Sequence, residues 1–140
     1  MGMETLDDFK NAFDSYKKQL AAKRVEWRKC MNIANEIGAV YDRMADDKKA
    51  MKEYRNSFKG FANETYGTFR GHLYLESYKV STKALLKDYD AVISNIDTNM
   101  DRLNLERCKY ENKASECWGM IGWLEAQINT VAHTIENWIN

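Results

Sequence analysis

Two histidines and three cysteines are the residues of this chain best suited to catalysis or metal binding. His72 and His133 stand alone, and a catalytic imidazole needs a positioned partner that the neighbouring sequence does not supply. Cys30, Cys108 and Cys117 are odd in number and far apart, so they cannot form a closed disulfide framework, and no Cys-x-x-Cys or Cys/His metal spacing occurs. We therefore expect reduced thiols buried as small hydrophobic side chains, and no metal ion or cofactor.

The carboxylates and glycines form no recognisable catalytic pattern either. Asp7/Asp8 and Asp46/Asp47 are adjacent in sequence, so on a helix they point in different directions and make a poor acid/base pair. The chain contains no phosphate-binding loop, no dinucleotide fingerprint and no nucleophile elbow. These observations predict a protein that is not an enzyme.

The charge balance and hydropathy exclude further classes of protein. Lys plus Arg and Asp plus Glu are 21 each, which removes the basic excess that drives nucleic-acid binding. The N-terminus lacks the basic and apolar regions of a signal peptide. No apolar run approaches the roughly 20 residues that span a bilayer. We expect a cytoplasmic protein without membrane insertion.

The first half of the chain carries apolar residues at alternating three- and four-residue spacing, interrupted only by two lysines. This column consists of Leu6, Phe9, Phe13, Tyr16, Leu20, Lys23, Trp27, Cys30, Ala34, Ile37, Tyr41, Met44, Lys48 and Met51. Such a repeat keeps one helix face against a partner helix. Because there is no proline to interrupt it, we predict one helix from about Thr5 to about Ser57.

Closely spaced glycines interrupt the pattern and predict a connection at about 58–72, followed by a second helix at about 73–138. The second helix carries two heptad columns. The first is Leu75, Thr82, Tyr89, Ile96, Leu103, Tyr110, Cys117, Leu124, Val131 and Trp138, and the second is Leu86, Ile93, Met100, Arg107, Ala114, Ile121, Ile128 and Ile135. The prediction is a single all-α domain over 1–140, an elongated antiparallel helical hairpin of two long amphipathic helices. A break at Ala45–Asp46–Asp47 would give a four-helix arrangement instead.

Apolar residues outside these columns exceed what a hairpin can bury, which predicts a surface that binds other proteins. Trp118 and Trp123 of the second helix lie about 100° to either side of its first column. The glycines between them either permit close approach of another helix or mark a kink. The candidate partner-binding residues are Trp118, Gly119, Gly122, Trp123, Val25, Ile33 and Val40.

The order of these features is more specific than any one of them. A long helix precedes a glycine-rich loop that ends in Phe69, Arg70 and Gly71, and Tyr74, Tyr78 and a second long helix follow. This arrangement resembles the YwqH-like family of small helical proteins encoded beside LXG toxins in Gram-positive bacteria. That family places an aromatic-x-Gly element between two helices, usually with tryptophan where this chain has Phe69.

The resemblance implies a chaperone-like adaptor of type VII secretion. Such a protein binds the N-terminal helical domain of an LXG toxin together with a second small helical partner, and is either retained in the cytoplasm or exported with its cargo without a cleaved signal peptide. No aromatic-x-x-x-Asp/Glu signal follows Trp138, so the toxin or the second partner would carry the secretion signal.

Two other functions are compatible with the same helices. A self-assembling structural coiled coil would form a homo-oligomer that is stable without any partner. A membrane-active helix would insert the segment 117–124 into lipid, but the balanced polar face argues against it. Light scattering and liposome sedimentation distinguish these alternatives.

Overall fold

The computed structural model describes residues 5–66 and 72–139, with side-chain surroundings for 5–61 and 76–139. Two helices account for these ranges: α1, Leu6–Tyr66, and α2, His72–Ile139. Apart from Thr5, every described residue is helical and none belongs to a strand. The predicted fold class, an all-α hairpin of two long helices, is confirmed. The four-helix alternative is wrong, because α1 continues through residues 45–47.

A reciprocal pair of hydrogen bonds closes the N-terminal end of α1. The backbone N–H of Asp8 donates to Oγ1 of Thr5 at 3.2 Å, and the backbone N–H of Thr5 donates to Oδ2 of Asp8 at 3.2 Å. Both N–H groups would otherwise lack a partner inside the helix. Asp7 and Asp8 in the first turn also favour the positive end of the helix dipole.

The C-terminal end of α1 lies later than the sequence predicted. The helix continues from Phe58 to Tyr66, and Gly60 lies within it, so the predicted connection at 58–72 is corrected at its start. Phe58 packs against Tyr89 of α2 with ring centroids 6.2 Å apart. Such packing offsets the roughly 1 kcal/mol by which one glycine disfavours a helix. The motif Phe69–Arg70–Gly71 lies outside the described residues.

Contacts along the hairpin divide the chain into two compact units, each built from a segment of α1 and a segment of α2. The first unit comprises residues 1–36 and 106–140, and the second comprises residues 37–105. Both units follow the same principle, in which one stripe of each helix packs against the other helix. That the whole chain folds as one domain stays a prediction.

Aromatic pairs and a small apolar core hold the first unit together. Ring centroids lie 5.9 Å apart for Phe9 and Trp138, 5.9 Å for Tyr16 and Trp123, and 5.4 Å for Trp27 and Trp118. As the α1 residue number rises the α2 number falls, so the two segments are antiparallel. The core cluster consists of Leu20, Ile121 and Leu124, with Tyr16, Trp27 and Ile128 packed against it.

The predicted columns agree closely with the observed burial. Every residue of the α1 column is buried or half-buried. This includes Lys23, which forms a 3.1 Å ion pair with Glu26 at the edge of the seam, the packed contact between α1 and α2. The described residues of both α2 columns are buried or half-buried except Trp138, which is exposed at the end of the helix. Lysine is tolerated in the seam because its methylenes pack while its ammonium reaches solvent.

Ion pairs also join α1 to α2 in the second unit. Lys48 pairs with Asp97. The guanidinium of Arg55 bridges both carboxylate oxygens of Asp90, with the Nη2–Oδ2 distance 3.4 Å. Since higher α1 numbers again meet lower α2 numbers, these segments are also antiparallel.

Candidate protein-binding surface

The two tryptophans predicted to flank the α2 column lie partly in solvent. Trp118 is 61% exposed and Trp123 is 50% exposed. Each uses part of its ring to cover an aromatic residue of α1, Trp27 for Trp118 and Tyr16 for Trp123. Their remaining surface is open to solvent among the described residues, although large aromatic side chains are the residues that most often dominate binding interfaces.

Gly119 and Gly122 lie in the uninterrupted helix α2, between these tryptophans. A methyl group added to either glycine would meet no atom within 4 Å. The hairpin itself therefore does not require glycine at either position, since α1 does not approach them. Each glycine nevertheless disfavours the helix by about 1 kcal/mol relative to alanine.

Small uncharged residues continue the surface beyond the glycines. They recur at alternating three- and four-residue spacing, two positions from the buried α2 columns and therefore on the opposite side of the helix. We call this surface the α2 outer face and define it as Asn112, Ser115, Gly119, Gly122, Ala126 and Asn129. All of its members are exposed.

The absence of charge sets this part of α2 apart from a chain in which 30% of residues are charged. From Cys117 to Ile135 the sequence contains a single Asp, Glu, Lys or Arg, which is Glu125. The carboxylate of Glu125 lies 3.0 Å from Nη2 of Arg24 on α1. A solvated helix face normally carries charged residues, so an exposed face without them is unusual.

The candidate residues of α1 do not form a comparable surface. Val25 and Val40 are exposed, whereas Ile33 is half-buried. Val25 and Ile33 belong to the first unit and Val40 to the second. Charged residues such as Lys29 and Glu36 are exposed on the same helix. Only the α2 residues of the predicted set share one continuous uncharged face.

A groove of about 390 Å³ in the first unit is the place where the chain's reactive groups meet. Its lining includes Cys30, Cys117, Lys23 and Glu26. Burial raises the pKa of the Cys117 thiol, which keeps it protonated and a poor nucleophile. Hydrogen bonding to Lys23 lowers the pKa of Glu26. The groove therefore combines a structural ion pair with the protonated thiol of Cys117.

Of the three thiols predicted to be buried, one is not. Cys30 and Cys117 are buried and Cys108 is exposed, and all are free. Cys108 follows Arg107, which occupies the second α2 column, so its side chain lies off the seam. Among the described residues there is no group of three His, Cys, Asp or Glu side chains placed to hold a metal ion.

Neither helix, over the part of the chain that the structure describes, has an apolar stretch that would cross a membrane.

The chain matches no protein-family profile, no curated protein and no solved structure. The geometry thus defines a helical hairpin with an exposed, uncharged helix face.

That Trp118, Gly119, Gly122 and Trp123 bind a partner stays a prediction; the structure adds the flanking members of the exposed α2 outer face. Trp118, Gly119, Gly122 and Trp123 were found from their types, whereas the flanking members of the α2 outer face were missed because serine, alanine and asparagine give little hydrophobic signal. A count of charge along α2 would have revealed them, since Glu125 is isolated in this stretch.

Proposed function

We propose that this protein is a non-catalytic helical adaptor that binds the N-terminal helical domain of an LXG-type toxin and promotes its export by type VII secretion. The observation that supports binding is the exposed α2 outer face bordered by Trp118 and Trp123. A helix of the toxin packs on this face and extends the hairpin into a bundle, in the helix-on-helix mode of recognition.

The two tryptophans contribute part of the binding energy that such a complex requires. A buried tryptophan covers 150–250 Å², so the exposed part of each ring amounts to on the order of 100 Å². At about 25 cal/mol per Å², covering both rings contributes about 5 kcal/mol before the cost of association. The glycines between them favour a closely packed helix, because a Cβ added at either one would have no other described part of the chain within 4 Å, apart from its own helix backbone and chain neighbours.

The identity of the partner rests on the family resemblance. In proteins of that kind, the toxin domain and a second small helical protein assemble with the adaptor in the cytosol before export. The aromatic-x-Gly element Phe69–Arg70–Gly71 supports this assignment. Val25 of α1 provides a smaller exposed apolar contact for the second helical protein.

Co-expression with the neighbouring genes tests the proposal. Size-exclusion chromatography with light scattering is expected to show one heteromeric complex that contains the LXG domain. The double variant Trp118→Ala/Trp123→Ala is expected to lose the complex, whereas Trp138→Ala, which removes an exposed tryptophan outside the α2 outer face, retains it. If the wild-type chain forms a stable homo-oligomer that takes up none of its neighbours, the structural coiled-coil function replaces this one.

A further inference from the structure

Two thiols on different helices meet in the first unit. Cys30 belongs to the buried column of α1 and is 7% exposed, and Cys117 belongs to the first column of α2 and is 4% exposed. Both line the groove of about 390 Å³, and neither is engaged in a disulfide. The proposed adaptor function uses neither thiol.

The two cysteines lie at nearly the same height along the seam. Trp27 and Trp118 mark a level at which α1 and α2 meet, with ring centroids 5.4 Å apart. Cys30 follows Trp27 by three residues on α1, and because the segments are antiparallel, Cys117 is displaced from Trp118 in the same direction by one residue. The remaining offset of two residues corresponds to about 3 Å along the helix axes.

The lateral separation also suits a covalent bridge. Packed helices lie about 8–10 Å apart and each Cα lies about 2.3 Å from its axis, so facing Cα atoms with this offset are about 5–6 Å apart. A disulfide spans Cα atoms about 4.4–6.8 Å apart. Ala34 and Ala114, one turn further along the seam, are buried, and their small side chains allow the helices to approach closely.

The electrostatics of the groove agree with a short separation. Burial, and after it the nearby Glu26 and Cys30, raise the pKa of the Cys117 thiol, while Lys23 acts in the opposite direction. Charges influence a pKa mainly from within about 4–6 Å. The effect of Cys30 is therefore that of a neighbour close to Cys117.

We propose that Cys30 and Cys117 form an oxidation site, at which a peroxide converts the two thiols into a disulfide that joins α1 to α2. Hydrogen peroxide is little larger than a water molecule, so the groove gives it access to both sulfurs. The inference goes beyond the proposed function and does not depend on it.

The reaction balances with one molecule of peroxide. One thiol loses its proton, and the thiolate sulfur attacks a peroxide oxygen. The O–O bond breaks, which leaves a sulfenic acid and a hydroxide that takes up the proton as water. The second thiol then loses its proton, its sulfur attacks the sulfenic sulfur, and the S–O bond breaks with loss of a second water. The two sulfurs together lose two electrons, which reduce the peroxide.

The bridge is expected to stabilise the hairpin. It would close a loop that contains more than half of the chain, and long closed loops restrict the unfolded chain most strongly. Since the two thiols already face each other in the seam, the folded chain needs little adjustment. We expect the melting temperature to rise by at least about 5 °C on oxidation.

Treatment of the folded Cys108→Ser chain with equimolar hydrogen peroxide tests the proposal. Cys108 is exposed, and its removal prevents disulfides between molecules. The oxidised chain is unfolded in iodoacetamide, its intact mass is measured, and its peptides are identified by mass spectrometry. We expect a loss of two hydrogens, no alkylation of Cys30 or Cys117, and one linked pair of peptides that contains both. A dithiol reductant is expected to reverse these changes.

Cys117→Ala/Ser115→Cys, also in the Cys108→Ser background, is the matched control. It moves the second thiol two residues along α2 to the exposed α2 outer face without changing the number of thiols. The new thiol is level with Cys30 but lies on the side of α2 away from α1. We expect no bridge to Cys30 and no rise in melting temperature. Circular dichroism establishes that both proteins are folded.

Three outcomes would overturn the proposal. The first is full alkylation of Cys30 and Cys117 after peroxide treatment and unfolding, or sulfinic acid on either residue in place of the bridge. The second is an equal yield of bridge in the control, since the facing positions would then be irrelevant. The third is a bridged chain whose melting temperature is unchanged or lower, because such a bridge would distort the seam.

Discussion

Truncating Leu124 to alanine tests whether the seam of the first unit is the main source of its stability. Leu124 is 0% exposed and lies in the core cluster with Leu20 and Ile121. The substitution removes three buried carbon atoms, worth about 2.4 kcal/mol at about 0.8 kcal/mol each. The cavity left behind adds to this loss. We expect the free energy of unfolding to fall by about 3 kcal/mol, roughly a hundredfold in the folding equilibrium constant.

Leu105→Ala is the matched control, because Leu105 is also a leucine of α2 but is 71% exposed. Its substitution is expected to change the free energy of unfolding by no more than about 0.5 kcal/mol. Urea unfolding followed by circular dichroism gives both values by linear extrapolation. All samples are held at one protein concentration, since association of the chain would shift the transition. If the two leucine variants unfold at the same urea concentration with the same slope, the assigned core is incorrect.

Three further predictions concern the helix start and the thiols. Thr5→Ala removes the hydroxyl acceptor of the Asp8 N–H and is expected to destabilise the first turn of α1 by about 1 kcal/mol, measured by amide hydrogen exchange; unchanged exchange there would contradict the cap. Iodoacetamide is expected to modify Cys108 in the folded chain, and Cys30 and Cys117 only after unfolding, since these two are buried. Because burial raises the pKa of Cys117, its stabilising contribution is expected to be full below about pH 8.5 and to decline as pH rises through the folded pKa. A Cys117→Ala variant should lack this component, and an identical decline in both proteins would refute it.

The seam was predictable from sequence because its signal is periodic over many turns. An apolar residue every 3.5 positions fixes which side of each helix is buried, and single exceptions do not disturb it. Lys23 and Lys48 interrupt the α1 column, yet both are half-buried and ion-paired. The C-terminal end of α1 was less predictable. Whether the helix continues through Gly60 depends on contacts with α2, such as that between Phe58 and Tyr89.

The α2 outer face, the proposed binding surface, was predictable only in part, for a different physical reason. Trp118 and Trp123 are recognisable because large aromatic residues outside a seam are unusual. Small neutral residues such as Ser115 and Ala126 are common on any helix, and only their exposure together, away from the buried columns, shows that they form one surface. The role proposed for Phe69 likewise depends on the family resemblance.

The ion pairs of the second unit have a consequence for how the hairpin aligns. Apolar heptad columns still match after a slip of seven residues, so packing alone leaves neighbouring registers close in energy. Lys48 and Arg55 are seven residues apart, as are their partners Asp90 and Asp97. A slip of one heptad would retain at most one of the two pairs and leave a charged group unpaired in the seam. The two ion pairs together therefore favour a single alignment of the α1 and α2 segments, as polar residues at a helix interface specify register at some cost in stability.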